Sequence, residues 1–176
     1  WSQATPFAGT PVFGHAAAIS EGVIIVCDGV STQWSAKGER SYQPVAACYR
    51  GDIDTKAPEK IRWQAITHPT GKSRYRQAAV SMVQPNGAEF IFVGGTETPY
   101  NFNGIGYNGV LAEPSAEIWR YSLNKNQWHR SQSPIGVMDL RNLILIDQQI
   151  YSLGGMQTGQ KVSSGLINHP LELLPN

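Results

Sequence analysis

Hydrophobic residues along this chain come in short runs, and no helical stripe is sustained over a dozen residues. Three runs open on a polar residue: 15–19 behind His15, 76–80 behind Arg76, and 141–145 behind Arg141. Each is followed by a second run that ends in glycine, at 23–29, 89–95 and 149–155. Mixed strands then follow at 44–49 and 116–121. Two cycles close on a tryptophan strand, 61–66 around Trp63 and 127–130 around Trp128. Trp1, Trp63 and Trp128 are separated by 62 and 65 residues, so the order of features repeats at nearly constant spacing. The segments are rich in β-branched and aromatic residues and bounded by Gly, Pro, Asn or Ser, which is the signature of strands. The pattern predicts an all-β chain of repeated four-stranded antiparallel meanders, the blade unit of a β-propeller.

The glycine pairs Gly94-Gly95 and Gly154-Gly155 leave a strand where an insertion begins, and glycine accepts the left-handed backbone such an exit needs. In the first cycle Asp28-Gly29 stands in that place, with a long insertion after it. Each closing Trp is expected to fill the wedge between neighbouring outer strands.

Composition narrows the function. The chain has 176 residues, 15% charged and 41% hydrophobic, with 18 Gly and 11 Pro. Formal charge is +1, and no block of like charge exceeds a few residues, which argues against a nucleic-acid or anionic-membrane partner. No apolar run approaches the roughly 18 residues of a membrane-spanning helix. Cys27 and Cys48 lie in neighbouring strand-like runs; two buried thiols are the default reading and a bridge is the alternative. The four histidines, His15, His68, His129 and His169, lack metal-ligand spacing, so no metal site is expected; His68 and His129 read as surface residues. Gly104-Ile105-Gly106 has neither the helix nor the Lys of a phosphate-cradling loop, and no nucleophile elbow is present, so no cofactor is expected.

Gly94-Gly95, the run Glu117–Leu123, Trp128 and a Pro-containing loop into Arg141 resemble the Kelch-type propeller family. Within it, the insertion at 99–107 is similar to bacterial Kelch proteins related to the sialic-acid mutarotase, N-acetylneuraminate epimerase. The resemblance implies blade one at about 13–66, blade two at about 74–130 and an incomplete blade three at about 139–176. A stretch at 166–174 would add a third strand to blade three, and the Trp1 strand would belong to a preceding blade. About three blades is half of a six-bladed ring. The missing half then comes from a longer chain, the favoured reading, or from a second copy closing the ring about a twofold axis. The resemblance also favours a periplasmic or secreted location.

Propeller ligands sit where the loops before the innermost strands meet the loops after the second strands. His15, Arg76 and Arg141 align as equivalent starts of innermost strands, and two arginines with a histidine favour an anion such as the carboxylate of a sugar acid. Arg74 and Asp139 lie in the same loops, Asp139 also being suited to brace Arg141. The loop from Thr96 to Pro114 supplies Glu97, Tyr100, Asn101, Asn103 and Tyr107, flat stacking faces and amides that suit sugars; Phe102 would anchor it. It is expected to cover the central face rather than the outer rim. An isomerase of the mutarotase kind would use Glu97 and Arg76 as catalytic groups and the other residues to bind substrate. The alternative is a non-catalytic Kelch module that holds a protein partner on the same face.

Overall fold

The computed structural model describes residues 2–171; Trp1 and residues 172–176 lie outside them, and with Trp1 the expected strand of a preceding blade. Its strands are β1 (Ala16–Ser20), β2 (Val23–Cys27), β3 (Val30–Trp34), β4 (Arg40–Pro44), β5 (Cys48–Ile53), β6 (Ile61–Ile66), β7 (Ala78–Gln84), β8 (Gly87–Val93), β9 (Ser115–Ser122), β10 (Gln127–Val137), β11 (Ile144–Ile146), β12 (Gln149–Leu153), β13 (Met156–Gln157), β14 (Lys161–Val162) and β15 (Leu166–Asn168). The first sheet runs β1-β2-β5-β6, the second β7-β8-β9-β10, and the third β11-β12-β15. All pairings are antiparallel, as the repeat predicts.

One expectation shifts. Residues 44–49 do not form one strand, because β4 ends at Pro44 and pairs with β3 in a separate hairpin. The first sheet's third strand instead starts at Cys48, where Cys27 lies directly opposite. The insertion after Asp28-Gly29 is therefore the β3–β4 hairpin. In the third sheet, β15 occupies the first part of the stretch at 166–174 and pairs with β12.

The sheets stack face to face. β1 packs on β7 and β8, and β7 touches β11. Ala16, Ile25 and Cys27 of the first sheet share a core with Ala79, Phe90, Phe92, Trp119 and Tyr121 of the second. A second core joins Ala78, Ile91, Val93 and Ile118 to Leu143 and Ile150 of the third. The alternation of Ala78 and Ala79 explains both cores, since successive side chains on a strand face opposite ways. Trp128 packs on Phe92 and Tyr121 and donates its indole N–H to the Thr67 carbonyl at 2.6 Å, which ties the outer strand of one sheet to the exit of the previous one. Trp63 repeats this toward the Thr5 carbonyl at 3.5 Å. Thr5 and Thr67 are 62 residues apart, the spacing of the repeat, so the N-terminal segment serves the first sheet as the 67–75 segment serves the second.

Cys27 and Cys48 are joined by a disulfide, with Cα atoms 4.2 Å apart. The expected free thiols are thus corrected: the register places the two residues face to face in a buried cross-strand pair. Converting both to serine is expected to cost about 3 kcal/mol, the entropy released by opening a loop of this length. Thermal melts of the Cys27→Ser/Cys48→Ser variant against the oxidised protein check this.

His169 locks the third sheet to the second. It is fully buried, with Nδ1 2.8 Å from the Ser133 hydroxyl of β10 and Nε2 2.8 Å from the Ser152 hydroxyl of β12. Burial disfavours the imidazolium and lowers its pKa to about 4. The unfolded chain therefore binds this proton more readily between about pH 6.5 and 4, and stability falls as pH drops through that window. The expected loss is about 3 kcal/mol by pH 4, read as a falling urea midpoint that a His169→Gln variant no longer shows.

Candidate functional site

The loops entering the innermost strands share one backbone plan. Phe13, Tyr75 and Met138 each make an isolated bridge to the segment just after the paired turn of their own sheet, at Val30, Thr96 and Met156. The next residue is left-handed in all three: Gly14 (φ 65°), Arg76 (φ 54°) and Asp139 (φ 57°). The paired turns also match, with Asp28-Gly29, Gly94-Gly95 and Gly154-Gly155 all at positive φ. Asp28 thus adopts the conformation that glycine has in the other two sheets.

This plan corrects the equivalence of His15, Arg76 and Arg141. The matching positions are Gly14, Arg76 and Asp139, and neither His15 nor Arg141 shares the left-handed backbone. The polar residue that opens the apolar run falls one position late in the first cycle and two positions late in the third. The Arg76 N–H donates to the Gly14 carbonyl at 2.8 Å, and the Leu140 N–H donates to the Arg76 carbonyl at 3.2 Å, so the three loops adjoin along the inner edge. His15 turns to the open side of the first sheet, where it lines a groove of about 510 Å³ with Phe7, Val26 and Trp63. Arg141 is exposed and, among the described residues, pairs with Asp139 at 3.2 Å.

Arg76 is the centre of one network. Its guanidinium pairs with Asp139 at 2.8 Å and donates to the Asn101 carbonyl at 2.7 Å. It also lies 5.1 Å from the Tyr75 ring centre and 4.8 Å from that of Tyr100. Tyr100 is fully buried, and burial pushes its phenol well above the ordinary range, with the Asp139 charge adding to the effect. Arg76 favours the phenolate, but no aligned hydrogen bond joins it to the hydroxyl. Both amide atoms of buried Gln77 also lack a partner among the described residues. Unpaired buried polar atoms are costly, and here one such side chain, Tyr100, packs on Arg76 and the other, Gln77, follows it in the chain.

Arg74 anchors a second network, set toward β9. It is buried, donates to Glu97 at 3.0 Å and Glu117 at 2.6 Å, and lies 5.5 Å from the Trp119 ring centre. Glu97 is half exposed and also pairs with Lys72 at 3.4 Å. The two expected catalytic groups, Glu97 and Arg76, therefore sit in different networks, and the carboxylate that accompanies Arg76 is Asp139. The backbone N–H of Arg74 donates to Asp28 at 2.9 Å, and Asp28 accepts from His68 Nε2 at 2.8 Å. The Thr70 and Gly71 N–H groups both donate to His68 Nδ1, which puts the ring proton on Nε2. Burial raises the Asp28 pKa despite these donors. His68 is thus a part-buried structural partner of Asp28, and His129 is part-buried with its Nε2 covered, so the surface placement the sequence suggests is corrected for both.

The loop at 96–114 folds on itself through bridges between Tyr100 and Gly106 and between Ile105 and Leu111. Tyr100 and Ala112 join Val30, Tyr75, Met138 and Met156 in a third core beside the inner edge, and Gln160 donates to the Ala112 carbonyl. Tyr100 is the anchor, correcting Phe102, which is 75% exposed. Asn103 closes a local turn by accepting from the Ile105 N–H at 3.1 Å. Tyr107 stacks on Tyr42 of the β3–β4 hairpin, ring centres 3.7 Å apart. The insertions of all three sheets thus gather on one face. Among the described residues no group of three or more His, Cys, Asp or Glu could hold a metal ion.

No protein-family profile matches the chain, and no curated protein matches it significantly. Solved structures do, 117 chains in all. YjhT is similar over 96% of this chain with a TM-score of 0.67 at 15% identity. A cryo-EM structure of RAG in complex with one melted and one unmelted RSS is similar over 94%, with a TM-score of 0.62 and 15% identity. The chain spans 45% of the former and 50% of the latter, about half of each. What these likenesses show is the fold: all-β and propeller-like.

Proposed function

We propose that the three sheets are consecutive blades of a larger propeller and that their insertion face holds a sugar or sugar acid, exchanging its anomers as the sialic-acid mutarotase does. The remaining blades come from a longer chain or a second copy. The observation that carries this reading is the Arg76–Asp139 pair. Both residues occupy left-handed positions that a glycine fills without strain in the first sheet, and such strain persists where polar groups are held for a purpose. Around them, exposed Asn101 offers amide groups and Tyr107 a stacking face, while buried Tyr100 holds Arg76 from beneath. Mutarotation needs one group to protonate the ring oxygen and another to take the anomeric hydroxyl proton. Glu97 and Asp139 supply carboxylates at this face, and Arg76 holds a substrate oxygen. The disulfide supports an oxidising compartment, periplasmic or extracellular.

NMR exchange spectroscopy on N-acetylneuraminate and neutral aldoses tests the enzyme. Faster anomer exchange with the wild type is expected, lost at least tenfold in Arg76→Gly, a variant whose backbone the Gly14 position already shows to be compatible. No acceleration with any sugar would end the catalytic reading. The exposed side chains of Trp34 and Phe102 favour the second reading, a face that holds a protein partner.

A further inference from the structure

The arginines first expected to recognise an anion already face carboxylates, with Arg76 and Arg141 sharing one. Arg74 is paired with Glu97 and Glu117, Arg76 and Arg141 share Asp139, and Lys72 is on Glu97. Arg40 differs. It is exposed and makes no ion pair among the described residues. Its guanidinium lies 5.8 Å from the Trp34 ring centre and 5.1 Å from that of Tyr42. Trp34 and Arg40 are direct cross-strand partners on the β3–β4 hairpin. Trp34 is itself 66% exposed, with the Arg40 guanidinium over its ring.

The hairpin is fixed to the insertion face. Val30 and Tyr42 join the third core, and Tyr42 stacks on Tyr107. From Tyr42 the aromatic contacts continue through Phe13 to Tyr75 and on to Tyr100 beside Arg76. A stacked guanidinium is weakly hydrated and keeps its planar fork free, the form in which arginine grips a carboxylate. Flat indole and phenol faces next to it match the C–H face of a pyranose.

We propose that the β3–β4 hairpin is the acid-reading arm of the sugar site, with Arg40 binding the carboxylate of a sugar acid and Trp34 and the Tyr42–Tyr107 pair receiving its ring. This rests on the sugar reading above and narrows it to acidic sugars. Recognition on this arm needs no proton or bond transfer; it sets which sugar reaches the Arg76 network.

The test is binding of glucuronic acid and glucose, a matched acidic and neutral pair, to the full chain by tryptophan fluorescence and ligand-observed NMR. The wild type is expected to prefer glucuronic acid at least tenfold, a preference lost in Arg40→Gln and reversed in Arg40→Glu. Trp34→Ala weakens both sugars, and Lys37→Gln, in the hairpin turn, leaves the preference intact. Circular dichroism and melting temperature should not change, because both side chains are exposed. An acid preference that survives Arg40→Gln overturns the proposal, as does equal binding of both sugars by the wild type. If binding is then still lost in Arg76→Gly, the sugar reading stands without this arm. If the wild type binds neither sugar, both fall.

Discussion

Gly94→Ala is expected to cost about 4 kcal/mol, combining left-handed strain with a clash in a packed site. A Cβ there would meet the Val137 carbonyl oxygen at 2.3 Å, and that oxygen belongs to backbone that cannot swing aside. The same carbonyl accepts the Gly95 N–H at 2.9 Å, so moving it would also break the turn. Gly154 has the same positive φ, but its added Cβ would meet nothing nearer than the Ser163 oxygen at 3.4 Å. Gly154→Ala therefore carries only the strain, about 1 kcal/mol. Asp28 shows that a side chain can live at this position when there is room for it. Urea titrations of the two alanine variants check the contrast. Equal midpoints would mean that the Val137 carbonyl does not crowd Gly94 as described. Against a domain stability of order 10 kcal/mol, the first loss should be plain.

Arg74→Met is expected to cost about 3 kcal/mol, because it removes one partner of a buried charge cluster and leaves the carboxylates behind. Glu117 would keep only the Trp119 indole N–H at 3.2 Å and a distant Arg130 at 3.8 Å. Glu97→Gln removes one arm of the same cluster at a half-exposed position and should cost under about 1 kcal/mol. Chemical denaturation of the two single variants separates them. A small effect of Arg74→Met, equal to that of Glu97→Gln, would show that this network does not bind the first sheet's turn to β9.

The repeat was readable because period-two alternation, paired glycines and tryptophans at near-equal spacing all record the same stacking of sheets. The site was read less well, for specific reasons. Sequence alignment anchored on the first polar residue of each run, which selects His15 and Arg141. The backbone anchors instead on the left-handed residue after each bridge, and φ leaves no mark when the residue is Arg76 or Asp139 instead of glycine. Glu97 stands beside the glycine pair in sequence, yet its carboxylate is drawn to Arg74, a preference that only the packing of β9 decides. The Asp28–His68 pair, 40 residues apart, had one usable signal: an aspartate where the other sheets carry glycine. Trp34 and Arg40 lay inside what the sequence marked only as a long insertion. Their pairing depends on the register of the β3–β4 hairpin.

The central claim is that the insertions meet around Arg76 and Asp139 to form one binding face. Backbone amide chemical-shift mapping with glucuronic acid tests it most directly. The account predicts shifts concentrated at Arg76, Tyr100, Asn101, Tyr107 and Asp139, together with Trp34 and Arg40 of the β3–β4 hairpin, with the outer strands β6 and β10 unchanged. Shifts confined to those outer strands, or to the groove beside His15 and Trp63, would contradict it.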